Sequence, residues 1–160
     1  MKATMQVGEK GLTIIKKYEQ GPDGGVALVA YLCPAKVWTL GWGHTQGVKE
    51  GDTCTPEQAE RWLREDCREA ELAVLNAIHR EMTQDQFDAL VSLVYNIGKA
   101  NFRTSTLVRM FNTGNIIGAA DQFMVWIKAT VKGKLVVMEG LRTRRGEERD
   151  LFSGGAAWKG

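Results

Sequence analysis

The chain has 160 residues, 44% of them hydrophobic and 25% charged, with a formal net charge of +2. That length suits one domain or a small two-lobed one, and the composition supports a packed core and argues against disorder. The charge is too small to argue for nucleic acid by itself, and no apolar run approaches the roughly 20 residues of a membrane span. Residues 1–10 lack the continuous apolar stretch of a signal peptide, so the expectation is a chain made and folded in a cytoplasm. The three cysteines, Cys33, Cys54 and Cys67, are an odd and sparse set. They argue against a disulfide framework, and no pair has metal-ligand spacing, so no metal and no cofactor is expected.

Residues 7–19 read as an amphipathic helix, with Leu12, Ile14, Ile15 and Tyr18 on its apolar side. Glu19 closes that helix, and Gly21-Pro22-Asp23-Gly24-Gly25 is a loop by composition. On periodicity alone Glu19 is a solvated carboxylate at a helix end. Next comes Tyr31-Leu32-Cys33-Pro34-Ala35-Lys36-Val37-Trp38-Thr39-Leu40-Gly41-Trp42-Gly43-His44-Thr45. Its second half alternates like a strand, after a turn at residues 34–36. Gly41 and Gly43 inside a strand mark close approach by a backbone or a ligand. Such a strand can line a cleft with Thr39, and with Cys33 across the turn. His44 has the opposite parity and points away from that face. A small hairpin sheet is expected over about 28–50.

Thr55-Pro56-Glu57-Gln58 is a helix start, with a capping threonine and proline at the first helical position. The helix 56–78 carries an apolar stripe on or beside which Cys67 falls, as a buried small hydrophobe. His79 at its end reads as a helix-terminus cation. Thr83-Gln84-Asp85-Gln86 is a capping box, and residues 84–97 form a strongly apolar helix stopped by Gly98. Tyr95 on it reads either as a core aromatic or as a cleft residue. Further helices are expected over 104–112, 116–129 and 140–152, with Phe123, Trp126 and Ile127 in the core. Val136-Val137-Met138 is a short apolar loop or a helix lead-in; the period does not decide. Arg144 can pair with Glu147 or Glu148, and Arg145 with Glu148, as a solvated face one turn apart. The tail from Ser153 to Gly160 is expected to be loosely held.

Three stretches together resemble the phage-type lysozymes, the glycoside hydrolase family that includes the T4 and lambdoid phage endolysins. The first is Glu19 with Tyr31-Leu32-Cys33 and Thr39-Leu40-Gly41-Trp42-Gly43-His44. The second runs from Ala89 through Tyr95-Asn96-Ile97-Gly98 to Leu107. The third is Gly140-Leu141-Arg142-Thr143-Arg144-Arg145-Gly146-Glu147-Glu148. The likeness covers about residues 8–152. One departure is the loop 20–30, about five residues longer than in relatives, a length that costs little closure entropy.

The resemblance implies an α+β, lysozyme-like fold. It has a β-hairpin-containing N-terminal lobe (about 1–55), a long linking helix (about 56–78) and a helical C-terminal lobe (about 79–160), with a glycan cleft between the lobes. It implies cleavage of the β-1,4 bond between N-acetylmuramic acid and N-acetylglucosamine in peptidoglycan. Glu19 would be the general acid, which must stay protonated near neutral pH. Cys33 occupies the position where many relatives carry Asp, and would act as nucleophile, base or spectator. Thr39 would hold a water. His44, Thr45, Tyr95 and Asn96 would contact substrate, with His44 also a structural hydrogen-bonder under the cleft. Arg144, with Arg145 as the alternative, would support the acid. The implied partner is the peptidoglycan glycan strand, with no nucleic acid, a monomeric chain, and release through a separate holin. Before lysis the protein would reside in the host cytoplasm, and it would then act on the periplasmic wall. The rivals are a lytic transglycosylase, a non-catalytic peptidoglycan binder, and a nucleic-acid binder using the arginines of 142–149. Glu147, Glu148 and Asp150 make the last of these a poor phosphate site.

Overall fold

The computed structural model describes residues 5–154. The expectation for the tail from Ser153 onward therefore falls almost wholly outside the described residues. Contacts divide the chain into two units, Ile15–Glu69 and the combination of Met1–Ile14 with Ala70–Gly160. The division falls inside the first helix, α1 (Glu9–Tyr18), and inside the long helix α2 (Pro56–Ala77).

In the unit of residues 15–69, a hairpin of β1 (Ala27–Leu32) and β2 (Trp38–Gly41) follows α1. The strands are antiparallel, pairing Tyr31 with Thr39 and Leu32 with Trp38, with an irregularity between Ala27 and Tyr31. The expected turn is present: Lys36 has φ +65°, and its N–H donates to the Cys33 carbonyl at 2.8 Å. Residues 52–54 add a short third run on β1, through Ala30 N to Asp52 O and Cys54 N to Leu28 O. Ile15, Ala27, Leu40, Ala59, Leu63 and Cys67 are the buried apolar set. Gly41 shows why a glycine sits in this strand. Its φ is +68°, and a Cβ there would lie 3.1 Å from the Cβ of Ala59 on α2. The cap of α2 is the expected one, with Gln58 N donating to Thr55 Oγ1 at 3.1 Å.

The other unit is built on α3 (Gln84–Ile97), whose Phe87, Ala89, Leu90, Val91 and Leu93 are fully buried. Thr83 and Gln86 form both halves of the capping box, and Gly98 ends the helix. Around α3 stand α4 (Lys99–Arg103), α5 (Thr106–Asn112), α6 (Ile116–Gln122) and α7 (Glu139–Phe152). Phe152 meets Phe111 edge-on at 5.0 Å and Phe123 at 5.3 Å. Asp88 on α3 caps the start of α1, accepting from Gly8 N at 2.9 Å and Gly11 N at 3.1 Å. Val7 N donates to Glu71 Oε2 at 2.7 Å. These bonds satisfy N–H groups that a helix start leaves without an internal acceptor.

Two expectations fail in this unit. The helix expected over 116–129 stops at Gln122, passes through one 3₁₀ turn (Phe123–Val125) and gives way to a second antiparallel hairpin, β3 (Lys128–Val131) and β4 (Lys134–Val137). The apolar Val136 and Val137 are thus strand residues, neither loop nor helix lead-in. Lys132 and Gly133, with φ of +51° and +80°, make the tight turn that sets the register. Of the three expected core residues only Phe123 is buried; Trp126 and Ile127 are half-buried. Second, the 140–152 helix is not a solvated charge face. Arg144, Arg145 and Glu148 are at most 2% exposed. Both arginines close on Glu148, because the short spacing puts all three on the inward side of α7.

Candidate active site

Glu19 follows the last residue of α1, and its N–H still donates to the Ile15 carbonyl at 2.9 Å. The helix therefore fixes where the side chain starts, and the chain then leaves into a loop tied by Gly21 N to Gly25 O and Gly24 N to Gly21 O. The carboxyl lies against Gly43: a Cβ on Gly43 would stand 3.2 Å from Glu19 Cδ and 3.3 Å from its Cβ. Gly43, at φ +82°, thus combines a left-handed turn with a close approach.

Glu19, Cys33, Thr39 and Thr45 line one pocket of about 470 Å³, together with Tyr31 and Gln20. The hairpin explains the grouping. Tyr31 and Thr39 are directly paired across β1 and β2, so their side chains share a face. Cys33 is held at the turn by its N–H to the Val37 carbonyl at 3.0 Å. Thr39 is buried and donates its hydroxyl to the same Val37 carbonyl at 2.9 Å.

Burial raises the Cys33 thiol pKa, but hydrogen bonds from the backbone of Val37 and Ala35 and from Thr39 outweigh it, leaving the thiol below its ordinary value. Thr39 has one proton and two claimants for it. The carbonyl takes it while Cys33 is a neutral thiol, and a thiolate draws it away because a charged acceptor is the stronger one. Tyr31 moves the other way. Burial first, then the negative charges of Glu19 and Cys33, push its phenol up, so it stays a proton donor facing both groups.

His44 is buried under the hairpin. Its ring stacks on Trp62 at 4.5 Å between centroids, and its Nδ1 stands 2.9 Å from Asp66 Oδ2. Facing a carboxylate, that nitrogen carries the proton. His44 is not among the residues that line the pocket with Thr39 and Thr45, but strand parity is not the reason, since β2 ends at Gly41 and the chain turns through Gly41 and Gly43 at positive φ before His44.

Tyr95, Asn96 and Arg144 belong to the other unit. Tyr95 is half-buried and Asn96 is exposed near the end of α3. Asn96 Oδ1 accepts from Arg145 Nη2 at 2.9 Å. Arg144 donates to Glu148 Oε2 at 3.2 Å and to the Ser92 carbonyl at 3.1 Å, and Ser92 Oγ donates to Glu148 at 2.5 Å. Arg145 Nε stands 2.8 Å from Glu148 Oε1, a close ion contact that is not aligned as a hydrogen bond. Sequence reasoning singled out the arginines but missed Ser92, Trp62 and Asp66 as their and His44's partners. It quoted Tyr31 in a motif without placing it in the site, although its pairing with Thr39 follows from the hairpin register.

Among the described residues, no cluster of three His, Cys, Asp or Glu side chains could hold a metal ion, and no helix is long and apolar enough to cross a membrane.

Comparison with known proteins gives the family of the chain. The phage lysozyme family profile matches residues 22–148, a span that holds Cys33, Thr39 and His44 and begins three residues after Glu19. An endolysin of Acyrthosiphon pisum secondary endosymbiont phage 1 is 47% identical over 92% of this chain and 98% of its own length. The solved endolysin from Escherichia coli O157:H7 phage FAHEc1 superposes with a TM-score of 0.87 at 40% identity, covering 98% of each chain. The muramidase domain of SpmX from Asticaccaulis excentricus gives 0.82 at 36% identity, over 92% of this chain and 97% of that one. The chain belongs to the phage lysozyme family, and is a glycoside hydrolase of the lysozyme type.

Proposed function

We propose that this lysozyme is an endolysin that hydrolyses the β-1,4 bond between N-acetylmuramic acid and N-acetylglucosamine, with Glu19 as acid and Cys33 and Thr39 serving the attacking water. The observation that carries this reading is the single pocket in which a carboxyl, a thiol of lowered pKa and a buried hydroxyl meet. Protonated Glu19 gives its proton to the glycosidic oxygen as the bond to the sugar carbon breaks. Water adds to that carbon from the other side of the ring. Thr39, whose own proton is drawn to the Cys33 thiolate, accepts one water hydrogen and aims the oxygen. The Cys33 thiolate takes the proton that the water loses. Solvent then returns a proton to Glu19 and removes one from Cys33. Thr45, Tyr95 and Asn96 contact the glycan strand, and His44 braces the hairpin under it.

The loop 20–26 does not remove Glu19 from the pocket; Gln20, Gly21 and Pro22 line it beside the acid. This favours an enzyme over a non-catalytic binder. The burial of Arg144 and Arg145 against Glu148 leaves little free charge for phosphate, against the nucleic-acid reading. In the cell the protein acts as a monomer on the wall, waiting in the cytoplasm until a separate holin lets it out.

The test is turbidity loss of outer-membrane-permeabilised Gram-negative cells, with mass spectrometry of the products, for wild type, Glu19→Gln and Cys33→Ser. Reducing-end muropeptides from wild type and none from Glu19→Gln are expected, with Cys33→Ser slowed about 100-fold or more. Anhydro products would replace this reading with a lytic transglycosylase, and full clearing by Glu19→Gln would remove Glu19 from the chemistry.

A further inference from the structure

The hairpin β3–β4 is accounted for by nothing in the reaction. From Gln122 to Met138 the chain carries three lysines and no acidic residue. Neither strand packs extensively on another element. The hairpin is closed at its base by Met138 N to the Ile127 carbonyl at 2.9 Å and ends in the Lys132-Gly133 turn. The register puts Leu135 beside Thr130, and Lys134 beside Val131. Leu135 is 71% exposed, and Val131, Val136, Val137 and Met138 are all exposed as well. Lysines on an open hairpin do guard its edges against pairing with other chains. That role explains the lysines, but not why the residues between them are aliphatic while Leu135 is 71% exposed.

We propose that this hairpin docks the protein on an anionic lipid surface. Lys128, Lys132 and Lys134 reach lipid phosphates, and the exposed Leu135, on the strand face it shares with Thr130, rests at the boundary between headgroups and acyl chains. The absence of any carboxylate from 122 to 138 is the charge complement of such a surface. Depth is limited by the backbone. The outer edges of a two-stranded hairpin keep unpaired N–H and C=O groups, which cannot be carried into hydrocarbon, so the contact stays interfacial. Each lysine is worth about fivefold in partitioning, and salt weakens that share.

The experiment is co-sedimentation of the full chain with vesicles of phosphatidylcholine alone or mixed with phosphatidylglycerol, at low and high salt. Wild type is expected to bind the anionic vesicles at least about tenfold more than the neutral ones, and less at high salt. Lys128→Glu/Lys132→Glu/Lys134→Glu abolishes that excess, and Leu135→Ser, at an exposed position that any residue tolerates, reduces it several-fold. Both variants keep the wild-type rate on isolated sacculi. Equal binding to the two vesicle types, or anionic binding untouched by the charge reversal, overturns the proposal. Variants that bind vesicles normally but lose retention on sacculi overturn it in favour of a glycan-facing hairpin.

Discussion

The Glu19 carboxyl occupies the space where a side chain on Gly43 would be: a Cβ there would sit 3.2 Å from Glu19 Cδ and closer still to one carboxyl oxygen. The acid and the turn after β2 are thus fitted to each other through the missing side chain. Gly43→Ala strains a left-handed residue by about 1–2 kcal/mol and pushes the acid aside. A displacement of about 1 Å at a reacting group costs on the order of 100-fold in rate. The expected outcome is a folded protein with roughly 100-fold less lytic activity and thermal stability only slightly reduced. Unchanged activity would show that the carboxyl is free to swing without loss.

The thiols should react in a fixed order. Cys33 is held below the ordinary thiol range by its hydrogen bonds, while burial raises Cys54, whose Sγ donates to the Ala27 carbonyl at 3.6 Å. Cys67 is 1% exposed. Since the thiolate is the nucleophile, iodoacetamide at neutral pH labels Cys33 first, Cys54 more slowly and Cys67 last, read by peptide mass spectrometry. Faster labelling of Cys54 would place the pocket hydrogen bonds elsewhere than on Cys33.

Glu148 lies against both Arg144 and Arg145, and it is fully buried. Glu148→Gln keeps the shape and removes the charge that it sets against the two guanidinium groups. The cost is about 3–5 kcal/mol, a fall in Tm of roughly 10 °C. Ser92→Ala removes one neutral donor to the same carboxylate and costs about 1–2 kcal/mol. Scanning calorimetry separates the two, and equal small losses would mean that the cluster is hydrated.

Asp88 titrates against the usual direction for a capping carboxylate. Burial raises its pKa above the ordinary carboxylate value, against the lowering pull of Gly8, Gln84 and Gly11, and Asp85 adds to the rise. A carboxyl raised in the folded state takes up its proton on folding, so its contribution is present below the unfolded pKa and lost as pH rises through the folded one. Wild type should therefore gain in Tm over Asp88→Asn as pH falls from neutral through the carboxylate range. A gain that grows with rising pH instead would show the N–H donors outweighing burial.

What the sequence made legible is local and signposted. Thr83 and Gln86 announced their capping box, Gly98 the stop, and Gly41 and Gly43 the close approaches. The second hairpin was hidden because its four-residue strands are too short for a period, and because Phe123, Trp126 and Ile127 continue a helical spacing past Gln122. Lys132-Gly133 was the one available signal, a turn pair with β-branched Thr130 and Val131 before it and, past Lys134 and Leu135, Val136 and Val137 after it. The charges of α7 misled for another reason. Arg and Glu in short register look the same whether they face water or a core, and only the apolar surroundings contributed by distant segments decide. At the site, the strand pattern was enough to group Cys33 and Thr39 but left out Tyr31, whereas the place of Glu19 against Gly43 depends on where the loop after α1 returns.

The cap on α1 has a consequence for synthesis on the ribosome. Gly8 is held by a carboxylate 80 residues further along the chain. At about 5–20 residues per second, Asp88 is not made until roughly 4–16 seconds after Gly8. Residues 15–69 are contiguous and need not wait. The helix that delivers Glu19 therefore emerges with its first turn unsecured, and is completed only when the later half of the protein arrives, so a truncated product ending before Asp88 carries the whole pocket sequence on a helix whose start is left uncapped.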